Sequence, residues 1–235
     1  MDERGFYLRY NESEMGKRGT KPQGKVAIRW SPHFAYAMGL LATDGNLSPD
    51  GRHIDFTSND MEQLDNFMKC LGIQVKISYK TSGFTHKQSP HVQFGDVNFY
   101  KFLITIGLTP AKSKTIGAIK IPKKYFSDFI RGHLDGDGTF YSYWDPRWRS
   151  SFMFYTAFVS ASKVHIEWLR VKIEELFGAR GHITKSINDS VYQLKYAKTD
   201  SLKLLSKLYY NKGVVCLSRK REKIGKALRI IGREL

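Results

Sequence analysis

The sequence predicts an α+β protein built from two similar halves, each with the element order helix, two strands, helix, two strands, helix. Three observations support this prediction. Of the 235 residues, 41% are hydrophobic, which is enough to form a buried core. Segments with helical periodicity alternate with pairs of segments that have the alternating pattern of strands. The stretch Gly39 to Gly45 (GLLATDG) is repeated as Gly132 to Gly138 (GHLDGDG), and the same succession of elements follows each copy.

The first half is predicted to span residues 31–108, after an irregular basic N-terminal arm at residues 1–30. Ser31 and Pro32 form a favourable helix start, because a serine side chain can cap a helix and proline suits its first position. The apolar segment that follows predicts a helix, and turn residues then precede a short strand at 53–57. Further along, the pattern predicts a helix at 61–71 with a terminal glycine, strands within 75–84 and 91–96, and a helix at 98–108.

A linker is predicted at residues 109–124, where two prolines and five lysines are typical of a connection rather than a regular element. The second half is predicted at 125–211 and begins with a helix from Tyr125 to Asp137. Its remaining segments predict strands at 139–144 and 150–161, a helix at 164–178, strands at 182–187 and 191–197, and a helix at 200–210. A basic C-terminal tail with a helical pattern is predicted at residues 212–235.

The chain is strongly basic, with 38 Lys and Arg against 22 Asp and Glu and a net charge of +16. Such an excess favours a polyanionic partner, with nucleic acid as the first candidate, although surface lysines can also serve solubility alone. No apolar run predicts a membrane span or a signal peptide, so we expect an intracellular protein of the cytoplasm, the nucleoid or an organelle. Cys70, Cys216 and the seven dispersed histidines indicate neither a disulfide framework nor a zinc site.

Two acidic residues, Asp44 and Asp137, occupy matching positions in the repeat. Each is expected in the last turn of its helix, before a glycine in the left-handed conformation that commonly ends helices. The helix dipole disfavours a carboxylate there by up to about 1 kcal/mol unless a cation compensates. A single such residue would be ordinary in an Asp-Gly turn, but the matched pair indicates a function.

Small residues on the same two helices, including Gly39 and Gly132, would let the helices pack closely and bring the acids together. A divalent cation would relieve the repulsion between Asp44 and Asp137 and could bind phosphate oxygens. This arrangement indicates metal-assisted hydrolysis of a phosphodiester. A calcium-binding loop beginning at Asp135 is excluded, because the glycine and the final glutamate of such a loop are missing.

The stretches Ala37 to Gly45 (AMGLLATDG) and Ile130 to Gly138 (IRGHLDGDG) resemble two copies of the LAGLIDADG motif of homing endonucleases, in the form that carries both motifs in one chain. The resemblance extends over residues 31–210. It implies two pseudo-symmetric αββαββα halves, with the motif helices packed at a central interface. It also implies that a four-stranded antiparallel sheet from each half forms a saddle over double-stranded DNA. The first copy has Ala42 where the second has Asp135, but both keep the metal-binding acid of the motif.

The resemblance assigns roles at the ends of the two motifs. Asp44 and Asp137 would bind the catalytic metal, together with the backbone carbonyls of the preceding residues, Thr43 and Gly136. The metal implied is Mg²⁺, with Mn²⁺ able to substitute for it and Ca²⁺ able to bind without supporting efficient cleavage. The target implied is a long, asymmetric DNA site.

The same resemblance implies further catalytic residues. Asn59 and Ser162 best match the residues near the end of the second strand that organise the hydrolytic water. A lysine on the last strand of a half would stabilise developing charge at the scissile phosphate. Lys195 is favoured for this role over Lys198, and Gln93 is the residue of the first half that corresponds to Lys195. Either lysine could instead belong to an ordinary solvated face.

Residues on the DNA-facing side of the strands are candidates for reading bases, because basic side chains recognise guanine and polar ones recognise adenine. They are Lys76, Ser78, Lys80, Gln93, Tyr141, Tyr143, Arg147, Arg149, Thr184 and Lys185. An error of one residue in register would turn any of them to the other face. A second group is expected to position the duplex through phosphates. It comprises Lys112, Lys114, Arg219, Lys220 and Arg221, with Lys163 and Lys198 as further DNA-binding candidates.

The sequence therefore predicts a monomeric, intron-encoded endonuclease that cuts double-stranded DNA at one long, asymmetric site. Two alternatives remain open on the same scaffold. One is a maturase that binds intron RNA and assists splicing, and the other is a regulator that binds DNA without cutting it. The intact acid pair favours the nuclease, since neither alternative requires both carboxylates.

Overall fold

The computed structural model of the protein describes residues 24–81, 86–148, 150–185 and 191–235. In these ranges the chain forms seven α-helices, eight β-strands and two short 3-10 helices. The α-helices are α1 (Pro32–Asp44), α2 (Met61–Leu71), α3 (Val97–Ile106), α4 (Phe126–Asp135), α5 (Lys163–Phe177), α6 (Lys198–Leu208) and α7 (Ser218–Ile230). The strands are β1 (Gly45–Leu47), β2 (His53–Thr57), β3 (Ser78–Thr81), β4 (Gln88–Gly95), β5 (Thr139–Trp144), β6 (Phe152–Ser160), β7 (His182–Lys185) and β8 (Tyr192–Tyr196). The 3-10 helices, Lys112–Lys114 and Lys123–Tyr125, lie between the two halves.

Some of the sequence predictions fall outside the described residues. They are most of the N-terminal arm (1–23), the ends of two predicted strands (82–84 and 186–187) and Arg149. Within the described ranges, no helix combines the length and the apolar composition needed to cross a bilayer.

The strands form two four-stranded antiparallel sheets with the same topology. Their orders are β1-β2-β4-β3 in the first half and β5-β6-β8-β7 in the second. The registers also correspond, because Asp55 pairs with Gln93 and Ala157 pairs with Lys195 at the same level of the two sheets. The predicted α+β fold with two αββαββα halves is therefore confirmed.

Each sheet has one face packed against helices and one open face. In β2, Ile54 and Phe56 are fully buried, whereas the alternate residues His53 and Thr57 are partly exposed. The same alternation is seen in β1 and β4, since successive side chains of a strand point to opposite faces, whereas β3 is exposed along its whole length. We call the open side of each sheet its saddle face. In the first half the saddle face carries Asn46, His53, Asp55, Thr57, Ser78, Lys80, Ser89, His91 and Gln93. In the second half it carries Thr139, Tyr141, Tyr143, Met153, Tyr155, Ala157, Val159, His182, Thr184, Gln193 and Lys195.

The two motif helices, α1 and α4, pack directly against each other at glycines. A Cβ atom added to Gly39 would lie 2.1 Å from the carbonyl oxygen of Phe129. A Cβ atom added to Gly132 would lie 2.1 Å from the carbonyl oxygen of Tyr36. Both separations are far below a van der Waals contact, so the close approach of the two helices requires glycine at these two positions.

The motif ends differ in two details from the sequence prediction. Helix α4 ends at Asp135, so Asp137 lies in the connection to β5 rather than in the last helical turn. Gly45 is not left-handed but extended, with φ −80° and ψ 147°, and it begins β1, a strand that the sequence did not indicate. Gly138 also lacks a positive φ.

The requirement for glycine at these ends comes from space rather than from backbone handedness. A Cβ atom on Gly45 would lie 2.7 Å from the carbonyl oxygen of Leu41, and one on Gly138 would lie 2.7 Å from that of Leu134. The chain therefore turns from helix to strand so sharply that the first strand residue lies against the last helical turn.

The linker does not hang free between the halves. Its segment 111–117 packs against the start of α5, where the Ser162 hydroxyl donates to the Ile116 carbonyl at 2.5 Å. In addition, His165 Nδ1 lies 2.7 Å from the Gly117 carbonyl oxygen. This segment is therefore fixed to the second half.

The C-terminal segment makes the reciprocal connection. Residues 215–220 cross from the second half to α2 of the first, where Asn66 Nδ2 donates to the Cys216 carbonyl at 3.2 Å. Arg219 Nε donates to Asp60 at 2.6 Å, and the fully buried Ile224 anchors α7. We call residues 111–117 and 215–220 the crossing segments.

Candidate functional site

The two motif acids meet where α1 and α4 end. Asp44 is the last residue of α1, and Thr43 Oγ1 lies 3.1 Å from Asp44 Oδ2. A Cβ atom on Gly136 would lie 2.0 Å from Thr43 Oγ1 and 2.8 Å from Asp44 Oδ2. The residue before Asp137 therefore touches the end of the other motif, which brings the two carboxylates to one site.

Both carboxylates are hard to ionise in this position. Burial raises the pKa of the Asp44 carboxyl to about 6, and the negative charge of Asp137 adds to the rise. Burial also raises the pKa of Asp137. The positive charges of Lys112 and Lys220 oppose the rise at both acids. The site is therefore a pair of partly buried acids that favours a nearby positive charge.

The two lysines beside the acids are related by the pseudo-symmetry of the halves. Lys112 is buried, and its ammonium donates to the carbonyl of Gly45, the residue after the first acid. Lys220 Nζ donates to the carbonyl of Gly138, the residue after the second acid, at 2.7 Å. Burial lowers the pKa of both lysines to about 8, although the neighbouring acids act in the opposite direction.

Lys220 makes more contacts than its counterpart. Its Nζ also lies 2.5 Å from the carbonyl oxygen of Leu134, 2.9 Å from that of Asp135 and 3.2 Å from that of Gly136. Four carbonyls at the end of α4 thus converge on one ammonium group. The ammonium group of Lys220 thus acts as a donor to carbonyls that the end of a helix leaves without a backbone partner. The sequence assigned both lysines to DNA phosphates and missed their position between the motif ends.

The donor set fits a hard divalent cation. Within the described ranges, no group of three or more His, Cys, Asp and Glu side chains gathers in one place. The motif ends nevertheless supply two carboxylates, Asp44 and Asp137, and the backbone carbonyls of Thr43 and Gly136 precede them. Mg²⁺ typically binds through one or two carboxylates and completes its shell with water and substrate phosphate. Burial and the charge of Asp137 raise the pKa of Asp44, so a bound cation would favour the ionised form of this carboxyl.

Two of the histidines that are dispersed in the sequence meet in the fold. His133 Nε2 lies 3.0 Å from His165 Nε2, and the two rings stack with their centroids 5.2 Å apart. Burial lowers the pKa of His165 to about 4, so this pair is uncharged at neutral pH. It belongs to the core of the second half.

The candidate lysines of the last strand lie farther from the acids. Lys195 is on the saddle face, opposite Ala157 on β6 and His182 on β7. Two strand spacings, about 10 Å, separate β8 from β5, the strand that follows Asp137. Lys198 is not on the strand but begins α6, and its Nζ donates to the Phe152 carbonyl at 3.0 Å.

Asn59 and Ser162 do not occupy matching positions. Ser162 caps α5, as Asp60 caps α2, so Ser162 corresponds to Asp60 and Asn59 corresponds to Ala161. Ser162 is buried, with its hydroxyl donating to a linker carbonyl. When the two halves are aligned on the residues that cap α2 and α5, Asn59 and Ser162 are therefore out of step by one residue.

Ser160 and its counterpart Ser58 are further hydroxyl candidates near the strand ends. Ser160 is one wall of a cavity of about 280 Å³ that also contains Thr43, Lys112 and Asp137. Its counterpart Ser58 lies in an open depression, lined also by Asn59 and Arg219. Each serine lies two residues before the residue that caps the next helix. This shared spacing could have identified the two serines as a matching pair from the sequence.

Most of the predicted base-reading residues lie on the saddle faces. Ser78, Lys80 and Gln93 do so in the first half, and Tyr141, Tyr143 and Thr184 in the second. Lys76 lies two residues before the start of β3, and Arg147 is exposed in the β5–β6 hairpin, where it forms an ion pair with Asp145 at 2.9 Å.

Lys185 is an exception, and its assignment to base reading was wrong. It pairs with Tyr192 rather than with a saddle-face residue, and its Nζ lies 5.5 Å from the centre of the Tyr192 ring. Since Thr184 is on the saddle face, its neighbour must point to the opposite side.

The residues predicted to hold phosphates are spread around the acid pair. Lys114 is exposed in the 3-10 helix that contains Lys112, and Lys163 begins α5. Arg219 is committed to Asp60, and Arg221 donates to the Lys212 carbonyl at 2.7 Å. Lys163 forms only an exposed ion pair with Glu167, at 3.5 Å, and the side chain of Lys114 forms no hydrogen bond or ion pair with the described residues.

This two-lobed arrangement, with motif helices paired at glycines and acids at their ends, is the LAGLIDADG homing endonuclease fold. Solved structures with this fold match the chain. I-WcaI bound to its DNA recognition sequence has a TM-score of 0.56 and 10% identity, over 83% of this chain and 86% of that one. I-DmoI in complex with DNA and Ca has a TM-score of 0.52 and 13% identity, over 86% of this chain and 98% of that one.

A third match is full-length DUF199/WhiA from Thermatoga maritima, with a TM-score of 0.54 and 17% identity over 89% of this chain. The chain spans only 63% of that protein. No protein-family model matches the chain, and neither does any curated protein. The likeness therefore establishes the fold, and the activity has to be argued from the site.

Proposed function

We propose that the protein is a site-specific endonuclease that hydrolyses phosphodiester bonds of double-stranded DNA with a divalent metal. The observation that carries the proposal is the meeting of Asp44 and Asp137 at the ends of paired helices. Two open antiparallel sheets flank these acids, and the chain carries a net charge of +16. A basic surface with an acid pair at its centre suits a metal-dependent reaction on a polyanion.

Asp44 and Asp137 would hold the metal with the carbonyls of Thr43 and Gly136. Mg²⁺ would be the usual ion, Mn²⁺ would replace it, and Ca²⁺ would support binding but not efficient cleavage. When bound, the metal supplies Lewis acidity and an activated water to phosphodiester hydrolysis. The chain itself places the carboxylates, positions the duplex on the saddle faces and brings hydroxyl groups such as Ser160 to the site.

Lys112 and Lys220 are better placed than Lys195 to stabilise charge at the scissile phosphates. Both lie beside the acids, and each holds the carbonyl of the residue that follows one of them. Their ammonium groups are partly desolvated, which strengthens any interaction with a phosphate oxygen. Lys195 would then contact the duplex from the saddle face.

Cleavage of a randomised double-stranded DNA library tests the proposal. Wild-type protein with Mg²⁺ should enrich one long site among the cut molecules, and Asp44→Asn or Asp137→Asn should abolish cutting while keeping DNA binding in Ca²⁺. Asp65→Asn, at an exposed position of α2, is the matched control and should cut normally. In the same assay, Lys112→Met should slow cleavage more than Lys195→Met.

Normal cleavage by either motif variant would overturn the proposed site. If wild type binds duplex DNA but never cuts it, a DNA-binding regulator becomes the better account. If it binds structured intron RNA in preference to duplex DNA, the maturase does. A single chain supplies both acids, so we expect the active species to be a monomer.

A further inference from the structure

The saddle faces of the two halves differ in chemistry. The first carries a charged cluster, in which Asp55 accepts from Lys80 Nζ at 2.6 Å and lies 2.8 Å from His91 Nδ1. The Asp55 side chain is only 11% exposed, and Lys80 and His91 hold it in place through its two oxygens. The position that matches Asp55 in the second half is Ala157, which is 1% exposed. A carboxylate in one half is therefore replaced by a methyl group in the other.

Three tyrosines cover the saddle face of the second half. The rings of Tyr141 and Tyr155 stack with centroids 5.2 Å apart and planes 16° from parallel. Tyr143 continues the stack on the other side of Tyr155, at 6.3 Å and 7°. Met153 pairs with Tyr143 and adds a thioether to the same surface. Among the described saddle-face residues of β5 and β6, none is charged.

Such a surface discriminates between base pairs in the major groove. Thymine presents a methyl group there, which makes favourable contacts with apolar side chains. Guanine presents two acceptors, which are read best by arginine or lysine. A row of stacked rings offers apolar area and single hydroxyl groups but no bidentate donor. Because stacking already fixes the rings, they lose little conformational freedom on binding.

We propose that the second half reads an A·T-rich stretch of the target, whereas the Asp55–Lys80 pair of the first half reads a G·C pair. The Lys80 side chain, which is 45% exposed, would donate to guanine, and Asp55 would hold the lysine in position. The inference rests on the proposed function in so far as the occupant of both faces is duplex DNA. It adds that the two half-sites of the target differ in the bases that are preferred.

The strand geometry gives the length and the place of the A·T-rich stretch. Tyr141 and Tyr143 are two residues apart on β5, a distance of about 7 Å along the strand. This corresponds to about two base pairs of duplex. The contacts from one level to the next would therefore cover about three base pairs. Since β5 runs away from Asp137, these pairs lie in the outer part of the half-site and not at the cleavage position.

Selection of binding sites in Ca²⁺ tests the inference without requiring cleavage. The full chain would be incubated with randomised duplex DNA, and the bound molecules would be sequenced. Wild type should enrich A·T pairs at about three adjacent outer positions of one half-site. Replacing two of them by G·C pairs should weaken binding about tenfold or more, because each mismatched pair carries a measurable cost.

Three variants test which half of the protein contacts which part of the DNA site. Tyr143→Arg, at a residue that is 41% exposed, should shift the preference at one or two of these positions from A·T to guanine. Tyr143→Leu keeps an apolar contact and should retain the A·T preference. Asp55→Asn is the control in the other half and should change preference only at inner positions of the other half-site, because Asp55 pairs with Asn46, two residues after Asp44. Far-ultraviolet circular dichroism would verify that each variant is folded.

The outcomes separate this inference from the proposed function. The inference is supported if wild type selects an A·T-rich block and Tyr143→Arg changes the preferred bases within that block. This holds even if wild type fails to cut the selected DNA in Mg²⁺. A selected site whose Tyr143-dependent positions are G·C pairs would overturn it, even for an active nuclease. Absence of any selected duplex would overturn both.

Discussion

At the scale of single residues, Asp44 should leave a signature in the stability of the metal-free protein. Its pKa in the folded state is about 6, above the ordinary value of an aspartate near 4. A raised pKa means that ionisation destabilises the folded state. Folding stability is therefore complete below about pH 4 and declines as the pH rises through about 6.

We expect Asp44→Asn to stabilise the metal-free protein at pH 8 by on the order of 2 kcal/mol, because the amide removes the buried charge. At pH 4 the gain should disappear, since the wild-type acid is then largely protonated. Thermal unfolding in EDTA at the two pH values measures this difference. Asp65→Asn, at an exposed position of α2, is the control and should leave the stability nearly unchanged.

Adding Mg²⁺ at pH 8 provides the complementary result. The wild type should gain stability from binding, and Asp44→Asn should gain less. An equal gain for both proteins, or a stabilisation by Asp44→Asn that is the same at pH 4 and pH 8, would contradict the assignment of Asp44 to a strained acid pair.

At the scale of elements, the contact between α1 and α4 determines where the acids lie. Gly39→Ala would place a Cβ atom 2.1 Å from a carbonyl oxygen of the other helix. Neither backbone can yield without moving the motif ends. We expect a loss of about 2–4 kcal/mol in the free energy of unfolding, at the upper end for overpacking of a core.

Gly225→Ala is the matched control for this prediction. It also lies within a helix, but its added Cβ would meet only the flexible end of the Arg229 side chain, at 3.6 Å. Alanine favours a helix over glycine, so we expect a gain of about 0.5–1 kcal/mol. Urea denaturation of both variants measures the two effects. Similar values for the two would show that the helices do not pack as closely as described.

The elements also show what the sequence can predict. Helix ends with a local cause were predictable, because Ser31 accepts from the Phe34 amide and Gly72 takes the left-handed conformation that ends α2. The end of α4 was not, since nothing in the order of residues distinguishes Asp135 from Asp137 as its last residue. The three-residue strand β1 was hidden for a similar reason, because it is too short to show an alternating pattern.

The candidate site shows the same division. The acids were predictable because a repeat compares each with its counterpart. The lysines were not, since Lys112 follows α3 by six residues whereas Lys220 follows α6 by twelve. Unequal spacing hides the match, and only the tertiary path of the crossing segments brings both lysines to equivalent carbonyls. Long-range placement of this kind has no local signal in the chain.

At the scale of the whole molecule, the net charge of +16 predicts strongly salt-dependent DNA binding. If about six or more phosphates are contacted, affinity should fall about a thousandfold or more between about 50 and about 200 mM salt. Lys114→Gln should reduce the slope of log affinity against log salt by about one, if Lys114 contacts a phosphate.

Lys207→Gln is the control, because Lys207 is exposed on α6, on the helical side of the second sheet. Its removal lowers the net charge equally but should leave the slope nearly unchanged. Fluorescence anisotropy over a salt series would measure both variants. If the two slopes changed alike, the effect would belong to total charge and not to a contact.

The crossing segments have a consequence for recombining such proteins. Residues 215–220 belong to the second half in chain order, yet they bind α2 of the first half through Asn66 and Asp60. A chimera that exchanges halves at the linker would therefore join a foreign C-terminal segment to an α2 that has not adapted to it. Grafting residues 212–235 together with the first half would preserve that contact. The part that should be exchanged as a unit is therefore the first half together with the C-terminal segment that binds its α2.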